Sequence, residues 1–168
     1  TNGVIAVPGI EGTMTVYGTM QCPFYVHDAV AQAIGRERNQ VRIVQTTTGG
    51  GFGGKEDFPS VIAGQAAIVA QLFNRPTKLV YKREEDIIAS SKRHPGLIKM
   101  KIGTDDNGKI TAALIDYYVD GGAYSTLTPI VLWRGTVHAL GPYECDHVHI
   151  RSCGVATNKV PCGAYRGF

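Results

Sequence analysis

A run of glycines broken by a single aromatic residue is the first feature of the sequence whose spacing could do chemistry. Residues 49–56 read GGGFGGKE and lie between two apolar segments. The glycines at 49, 51 and 54 fit the dinucleotide-binding fingerprint. That fingerprint also needs an acidic residue about 20 positions further on, at the end of the next strand. Tyr81, Lys82 and Arg83 stand there instead, so binding of a nicotinamide dinucleotide is disfavoured.

The same run also fits the phosphate-binding loop of nucleotide hydrolases, which ends in lysine followed by serine or threonine. Here Glu56 follows Lys55, and its carboxylate would repel a triphosphate. A glycine loop that leads into a helix still offers backbone N–H groups to an anionic or polar ligand, and Phe52 is its single bulky residue. A tight turn from strand to helix, with no ligand, is the structural alternative.

Further segments complete a pattern that is similar to one protein family. The glycine run resembles the GGGFGGKE signature of the molybdopterin-binding subunit in the xanthine dehydrogenase/aldehyde oxidase family. Other stretches agree with that family in order and spacing, and they are residues 19–23, 83–86, 92–95, 120–124, 157–158 and 164–168. The resemblance therefore covers nearly the whole chain rather than one short motif.

The resemblance implies an oxidoreductase that hydroxylates a carbon next to nitrogen or oxygen, with water as the oxygen source. Such enzymes use a molybdenum–molybdopterin cofactor, in some members in a dinucleotide form. Electrons pass to iron–sulfur clusters and usually FAD, which belong to partner domains or subunits. Residues 1–168 are then expected to be a fragment of the molybdopterin-binding domain of a larger molybdenum subunit, whose remaining part is the first partner.

The resemblance also implies roles for individual residues. Gly51, Phe52 and Gly53 would approach the molybdenum centre, and Arg166 would contact the cofactor from the other side of the pocket. The pterin would hold the molybdenum, so no side chain of the chain is expected to bind the metal.

Three further residues match substrate positions of purine-hydroxylating members, and their chemistry suits a flat heterocycle. Glu56 can accept a hydrogen bond from a ring N–H, and it is expected at a helix start, where a carboxylate is stabilised. Arg134 can donate to a carbonyl, and Phe168 can stack on a ring. A small purine or related N-heterocycle is the predicted substrate. The alternative in the same family is an aldehyde-oxidising enzyme in which Glu56 and Arg134 have no substrate role.

No catalytic side chain is predicted within the chain. The family's catalytic base is a glutamate far downstream of the segment that matches residues 164–168, and its metal-facing glutamine lies upstream of the matched region. Gln21 belongs to a different motif and is not given that role. The isolated chain is therefore expected to have an open pocket and no activity. A non-catalytic assembly module, which docks other subunits or a second copy of itself, is the alternative outside the enzyme class.

The elements that must position these residues follow from hydrophobic periodicity and turn signals. Alternating or apolar segments predict strands at residues 4–7, 13–17, 41–45, 77–81, 97–103, 109–119 and 147–156. Helical spacing predicts helices at residues 23–34 and 58–73, a short helical turn opening at residues 84–86, and a helix or loop at residues 128–139.

These elements predict an α+β fold with a mixed sheet. A strand, the glycine loop, a helix and a strand follow one another at residues 41–81, which predicts a βαβ unit with a local parallel pair. Residues 105–108 read DDNG and predict a turn that joins a long β-hairpin. The helix at residues 58–73 is apolar on nearly all sides and is predicted to be well buried.

Composition narrows the remaining classes. The 168 residues carry a net charge of +3 without a basic stripe, which disfavours nucleic-acid binding. No apolar run reaches the roughly 20 residues that cross a bilayer, so no membrane segment is predicted. The four cysteines, Cys22, Cys145, Cys153 and Cys162, form no C-x-x-C pair, and they are interpreted as reduced thiols of a cytoplasmic protein.

Overall fold

The computed structural model describes residues 1–167, so Phe168 lies outside the described residues. The chain divides into two compact units, Thr1–Ser91 and the part from Lys92 onward. Each unit combines a sheet with helix, which confirms the predicted α+β fold class. No helix in the described part of the chain is long and apolar enough to cross a membrane.

The first unit contains four strands and three α-helices. In chain order they are β1 (Gly3–Pro8), β2 (Met14–Gly18), α1 (Pro23–Ala33), β3 (Val41–Gln45), α2 (Pro59–Phe73), β4 (Thr77–Val80) and α3 (Arg83–Ala89). Proline occupies the first turn of α1 and of α2, where its missing N–H costs no helical hydrogen bond. Asn74 ends α2 in the left-handed conformation, which is a common helix terminus.

The sheet of the first unit has the strand order β3-β2-β1-β4. The strands predicted at residues 4–7 and 13–17 form the β1–β2 hairpin, which lies at the centre of the sheet. The predicted parallel pair of β3 with β4 is wrong, because the hairpin separates these strands and they form opposite edges of the sheet. The adjacent parallel pair is β2 with β3, and α1 is the crossover between them. The glycine loop therefore leads from an edge strand into a helix that crosses the whole sheet.

The core of the first unit lies between this sheet and α1 and α2. Val4 and Val16 point inward from the central hairpin, and Val30 and Ile62 meet them from the two helices. All four side chains are almost fully buried, and each such burial stabilises the fold by about 1.5–3 kcal/mol. The core residues of α2 are mostly alanines, whose small side chains let the helix pack closely. This core holds β3 and α2 in place, and these are the two elements that the glycine loop connects.

The predicted burial of α2 on all sides is wrong. Its inner face is fully buried, but Leu72 and Phe73 are 74% and 71% exposed and Val61 is about half exposed. The sheet and α1 contact only the inner side of the helix. An apolar sequence on all sides of a helix therefore does not show that all sides are covered within the same unit.

Up to residue 167, the second unit contains three strands and one α-helix, which are β5 (Gly96–Thr104), β6 (Ile110–Gly122), α4 (Thr128–Val137) and β7 (His147–Ala156). β6 lies in the middle, antiparallel to β5 and parallel to β7. The predicted long hairpin of β5 and β6 is confirmed. Its turn is closed by Asp105, whose carboxylate accepts the N–H groups of Asn107 and Lys109 at 2.9 Å each.

Burial in the second unit is confined to one part of the sheet. Ile115 and Val119 of β6 are almost fully buried, and Val131 of α4 packs with Leu127 and Ala164. Every residue of β5 is exposed. The second unit therefore has a much smaller apolar core than the first, and polar contacts carry more of its local order.

Candidate functional site

The glycine loop (residues 49–56) joins β3 to the approach of α2 through a turn in an unusual conformation. Phe52 and Gly53 both have positive φ values, 52° and 88°. A bulky residue rarely adopts this left-handed conformation, which costs about 1 kcal/mol or more and persists only when its surroundings fix it. The Phe52 side chain is 78% exposed and so is not held there by packing. The turn must therefore be fixed by hydrogen bonds.

Gln21, which follows β2, supplies those hydrogen bonds. Its side-chain oxygen Oε1 accepts the N–H of Gly53 at 2.9 Å and the N–H of Lys55 at 3.1 Å. The backbone N–H of Gln21 donates to the carbonyl of Lys55 at 2.7 Å. The Lys55 ammonium donates to the hydroxyl of Thr19 at 2.6 Å. The loop is thus bound to one short segment far from it in sequence.

These contacts bind the second half of the loop and leave the amides of its first half, including that of Phe52, without an internal partner. Gly53 and Lys55 donate to Gln21, and Gly54 donates to the carbonyl of Gly51 at 2.8 Å. The N–H of Phe52 makes no hydrogen bond to any residue between 1 and 167. The sequence predicted a loop with several available N–H groups. The loop uses those of Gly53, Gly54 and Lys55 in its own structure, and those of residues 49–52 make no hydrogen bond to the described residues.

Glu56 lies just beyond this turn and is half-buried. The expected position at a helix start is wrong, because α2 begins at Pro59 and Glu56 lies in the preceding bend. Asp57 takes the role nearest to a helix cap, since its carboxylate accepts the N–H of Phe58 at 2.8 Å. The local structure thus gives Glu56 no direct role in starting the helix.

Arg134 belongs to α4 of the second unit, which resolves the choice between helix and loop at this position. Its side chain is exposed, and its carbonyl accepts the N–H of His138 at the end of the helix. At the other end of α4 the Thr128 hydroxyl and the His94 ring nitrogen lie 2.8 Å apart. The helix is therefore anchored at its first turn and presents Arg134 from its last.

Arg166 lies in the terminal segment (residues 157–167), which is bound to the end of β6 through Asp120. The Asp120 carboxylate accepts the Thr157 hydroxyl and the Lys159 ammonium at 2.7 Å each, and the N–H of Gly122 at 3.0 Å. The hydrogen bond from Lys159, and then those from Thr157 and Gly122, lower the pKa of Asp120 from 3.8 to about 2. This carboxylate therefore stays ionised over the whole neutral range.

Backbone contacts complete the attachment of the terminal segment. Ala123 N–H donates to the carbonyl of Lys159 at 2.8 Å, and Cys162 N–H donates to the carbonyl of Gly121 at 3.0 Å. Gly122 has a φ of 75°, and a Cβ there would lie 2.9 Å from the carbonyl carbon of Val160. Only glycine fits at this crossing.

The end of the terminal segment is held by two arginines. The Arg93 guanidinium donates to the carbonyl of Arg166 at 2.8 Å. The Arg166 guanidinium itself donates to the carbonyl of Ala164 at 2.7 Å, and its side chain is exposed. The backbone of Arg166 is thus fixed while part of its cationic surface stays accessible.

The structure thus groups the predicted site residues in part. Gly51, Phe52, Gly53 and Glu56 lie in one loop, whereas Arg134 and Arg166 lie in separate elements of the other unit, and Phe168 is outside the described residues. Sequence reasoning missed the supporting residues Gln21 and Asp120. Both lie in segments that carry the family resemblance, and this resemblance was the one feature of the sequence that could have pointed to them.

No side-chain cluster in residues 1–167 offers three or more His, Cys, Asp or Glu side chains to a metal ion. Cys162 is buried, and burial raises the pKa of its thiol.

Known proteins with similar sequences point to one family. A model of the molybdopterin cofactor-binding domain matches residues 1–168. The nicotinate dehydrogenase large molybdopterin subunit of Eubacterium barkeri is 39% identical over 158 residues, which are 94% of this chain and 37% of that protein. A probable subunit of xanthine dehydrogenase from Bacillus subtilis strain 168 is 35% identical over 168 residues, 100% of this chain and 22% of that protein.

A solved structure agrees with these relatives. Quinoline 2-oxidoreductase from Pseudomonas putida 86 superimposes with a TM-score of 0.90 at 26% identity, over 99% of this chain and 22% of that chain. The chain thus spans less than two fifths of the length of each of these proteins. The match of the family model over all 168 residues nevertheless shows that the chain belongs to the molybdopterin cofactor-binding domain of the xanthine dehydrogenase/aldehyde oxidase family, the molybdenum hydroxylases.

Proposed function

We propose that this chain forms part of the cofactor and substrate pocket of a molybdenum hydroxylase that oxidises a purine or a related N-heteroaromatic compound. Two of the similar proteins are named for nicotinate and quinoline, which are nitrogen heteroaromatics, and a third is named for xanthine, a purine. A carbon next to a ring nitrogen is electron-poor and is open to attack by an oxygen nucleophile. Other similar proteins are named as aldehyde oxidases, so the choice of a heterocycle rests on the proposed pairing of its two edges with Glu56 and Arg134.

The available N–H of Phe52 is the observation that carries the cofactor assignment. A turn that binds the amides of Gly53, Gly54 and Lys55 internally but leaves that of Phe52 without a partner among the described residues fits a polar atom of a ligand. Gly51 and Gly53, which have no side chains, let a large flat group approach the backbone. The residues therefore fit a molybdenum–molybdopterin cofactor, whose metal would supply two-electron redox chemistry and an oxygen that comes from water.

Each cofactor residue then has a separate task. Phe52 donates its backbone N–H to a polar atom of the cofactor and turns its ring outward as an apolar wall. Arg166 brings a positive charge to the anionic cofactor, at a backbone position fixed by Arg93. Both contacts act without a change of protonation, so they bind and orient the cofactor rather than move protons.

Substrate recognition is assigned to Glu56, Arg134 and Phe168. In this proposal the Glu56 carboxylate accepts a ring N–H, and the Arg134 guanidinium donates to a carbonyl and stabilises negative charge that develops on it. The Phe168 ring stacks on the heterocycle. A pocket that pairs both edges of the substrate discriminates strongly, because an analogue without those edges leaves buried polar groups without partners.

The reaction also needs groups that belong to other parts of the enzyme. A general base must take the proton of the attacking water, and none of the residues assigned above has that task. Iron–sulfur and flavin domains or subunits would accept the two electrons. The chain thus acts together with the rest of a molybdenum subunit, and residues 1–168 alone are expected to be inactive.

The test measures substrate turnover by the complete protein that contains this chain. Xanthine, nicotinate, quinoline and an aromatic aldehyde are compared in the wild type and in Glu56→Gln and Arg134→Met. We expect kcat/KM for the preferred heterocycle to fall by about a hundredfold or more in each variant, since each leaves a polar group without its partner. Glu144→Gln and Arg75→Met, which change exposed residues of the same types, serve as controls.

Molybdenum content is measured on the same samples and is expected to be unchanged in Glu56→Gln and Arg134→Met. A preference for the aldehyde, with turnover unaffected by both variants, would remove the heterocycle assignment. Loss of turnover that follows loss of molybdenum would instead show that these residues act on the cofactor and not on the substrate.

A further inference from the structure

Gln21 lies at the point where the glycine loop is tied to the sheet, and we infer that it is the positioning residue of that loop. The backbone around Gln21 is fixed on both sides. Met20 is fully buried in the core, and its carbonyl accepts the side-chain amide of Gln45 at 2.7 Å. Gln21 N–H donates to the carbonyl of Lys55 at 2.7 Å. The side chain of Gln21 therefore starts from a rigid base.

The Gln21 side chain imposes a conformation because one oxygen binds two amides of the same turn. A carbonyl oxygen has two acceptor positions, and here the N–H groups of Gly53 and Lys55 fill both. Drawing the N–H groups of residues 53 and 55 to one oxygen constrains the backbone between them, which begins with the left-handed Gly53. Phe52 and Gly53 make that turn in the left-handed conformation.

Gly51 lies against the Gln21 side chain and leaves the space that this side chain occupies. A Cβ at Gly51 would lie 2.5 Å from Cδ of Gln21 and would also overlap its Oε1. Gly51 does not have a positive φ, so its backbone would accept alanine. The requirement for glycine at position 51 therefore comes from the Gln21 side chain and not from the backbone.

The consequence for ligand binding rests on the proposed function. A turn held by Gln21 presents the Phe52 N–H in one orientation before the cofactor binds. The entropy cost of ordering the loop is then not subtracted from the binding free energy. The role of Gln21 in the loop itself needs no cofactor. The two parts of the inference can therefore fail separately.

The experiment measures amide hydrogen exchange in the complete protein by mass spectrometry, with peptides that cover residues 49–57. Gln21→Met keeps the volume but removes the amide oxygen, and Gln21→Glu keeps an oxygen acceptor. We expect exchange at Gly53 and Lys55 to become about tenfold faster in Gln21→Met and to stay within about twofold of wild type in Gln21→Glu. Peptides from the β5–β6 hairpin provide the reference. A general loss of fold would accelerate exchange in all peptides, whereas rescue by glutamate identifies the acceptor.

Gly51→Ala supplies a second, independent test. In the wild-type background it should displace Gln21 and accelerate exchange at Gly53 and Lys55 about as much as Gln21→Met does. In a Gln21→Ala background, where the obstructing side chain is gone, Gly51→Ala should add less than about a twofold change. Equal effects of Gly51→Ala in both backgrounds would overturn the pairing of Gly51 with Gln21.

Two further results would overturn the inference. One is wild-type exchange at Gly53 and Lys55 in Gln21→Met, and the other is exchange that is as fast in Gln21→Glu as in Gln21→Met. Molybdenum content of the same samples tests the proposed function separately. Faster loop exchange with full molybdenum content and full turnover would contradict the proposed role of the loop in cofactor binding, while the positioning of the loop by Gln21 would stand.

Discussion

The two segments that carry the proposed cofactor residues are held by different chemistry. In the first unit, the neutral amide oxygen of Gln21 accepts two backbone N–H groups of the glycine loop. In the second unit, the ionised carboxylate of Asp120 accepts a hydroxyl, an ammonium and a backbone N–H at the base of the terminal segment. Both devices use one side-chain group as a common acceptor for several donors.

The difference determines how each segment responds to solution conditions. A neutral amide does not titrate, so Gln21 should hold the glycine loop equally well in acid and at high salt. The Asp120–Lys159 pair depends on charge, and Lys159 is largely exposed, so acid and salt should both weaken it. The attachment of the glycine loop is therefore expected to be insensitive to acid and salt, and that of the terminal segment to be sensitive to both.

The units also differ in the cores beneath these segments. Among the described residues, the first unit has a continuous apolar core of fifteen buried side chains, whereas the cluster beside α4 contains three. Changes near the terminal segment should therefore have larger effects than matched changes near the glycine loop, because less apolar burial remains to compensate for them.

The largest expected effect comes from Gly122→Ala in the second unit. The new Cβ would overlap the backbone of Val160, and Gly122 also has a positive φ of 75°. Since backbone cannot rotate away as a side chain can, we expect the stability of the second unit to fall by about 3 kcal/mol or more. Denaturant unfolding together with hydrogen exchange of residues 157–167 measures this loss.

Gly108→Ala is the matched control for that change. Gly108 has a similar φ of 82° in the β5–β6 turn, but a Cβ there would meet no atom within 4 Å. Its expected cost is only the backbone term, about 1–2 kcal/mol. Equal losses in the two variants would show that the crossing with Val160 yields easily, and would weaken the view that backbone contacts lock the terminal segment.

An intermediate effect is expected from acid, and it should separate the two segments. The pKa of Asp120 is about 2 in the folded protein and 3.8 ordinarily, so the unfolded segment binds a proton more readily. The stabilising contribution of Asp120 is therefore complete above about pH 4, declines as the pH falls towards 2, and is lost below it. Brief pepsin digestion between pH 4 and pH 2, with fragments identified by mass spectrometry, should show cleavage in residues 157–167 rising severalfold while residues 49–56 change little.

Asp120→Asn tests the cause of that pH dependence. Asparagine keeps the size of the side chain and one acceptor oxygen but cannot form the ion pair with Lys159. In this variant the terminal segment should be cleaved readily already at pH 4, with little further change down to pH 2. A wild-type pH profile in Asp120→Asn would assign the acid sensitivity to another group.

Much of the fold could be predicted from local sequence patterns, because periodicity and turn signals act over a few residues. The strands at residues 41–45 and 147–156 have the predicted bounds, and the DDNG turn closes the predicted hairpin. The partner of each strand could not be predicted in the same way. The edge positions of β3 and β4 depend on which strand takes the free side of β1, and that choice is made by the assembled sheet.

In the glycine loop, too, local sequence patterns do not predict contacts between residues that are far apart in the chain. Its sequence and its family resemblance indicate a ligand-binding turn, but they do not tell which amides the turn uses internally. That selection depends on Gln21, which is more than thirty residues away from Gly53 and Lys55. The sequence also suggested that Glu56 opens a helix, whereas Pro59 sets the first turn. Long-range hydrogen bonds thus determine which amides of the loop are bound, which residue types alone did not predict, and the position of Pro59 determines where α2 begins.

The smallest expected effect is that of Thr19→Val beside the glycine loop. It removes the hydroxyl that accepts the Lys55 ammonium at 2.6 Å, but the two hydrogen bonds to Gln21 remain. Since Lys55 is only half-buried, water can solvate its ammonium, and we expect a loss of about 1 kcal/mol or less. Thr157→Val, which removes a hydroxyl bound to Asp120, should accelerate hydrogen exchange in its own segment more than Thr19→Val does in residues 49–56. The reverse order would mean that the glycine loop depends on its one charged contact, and that the contrast between a neutral and an ionic support is wrong.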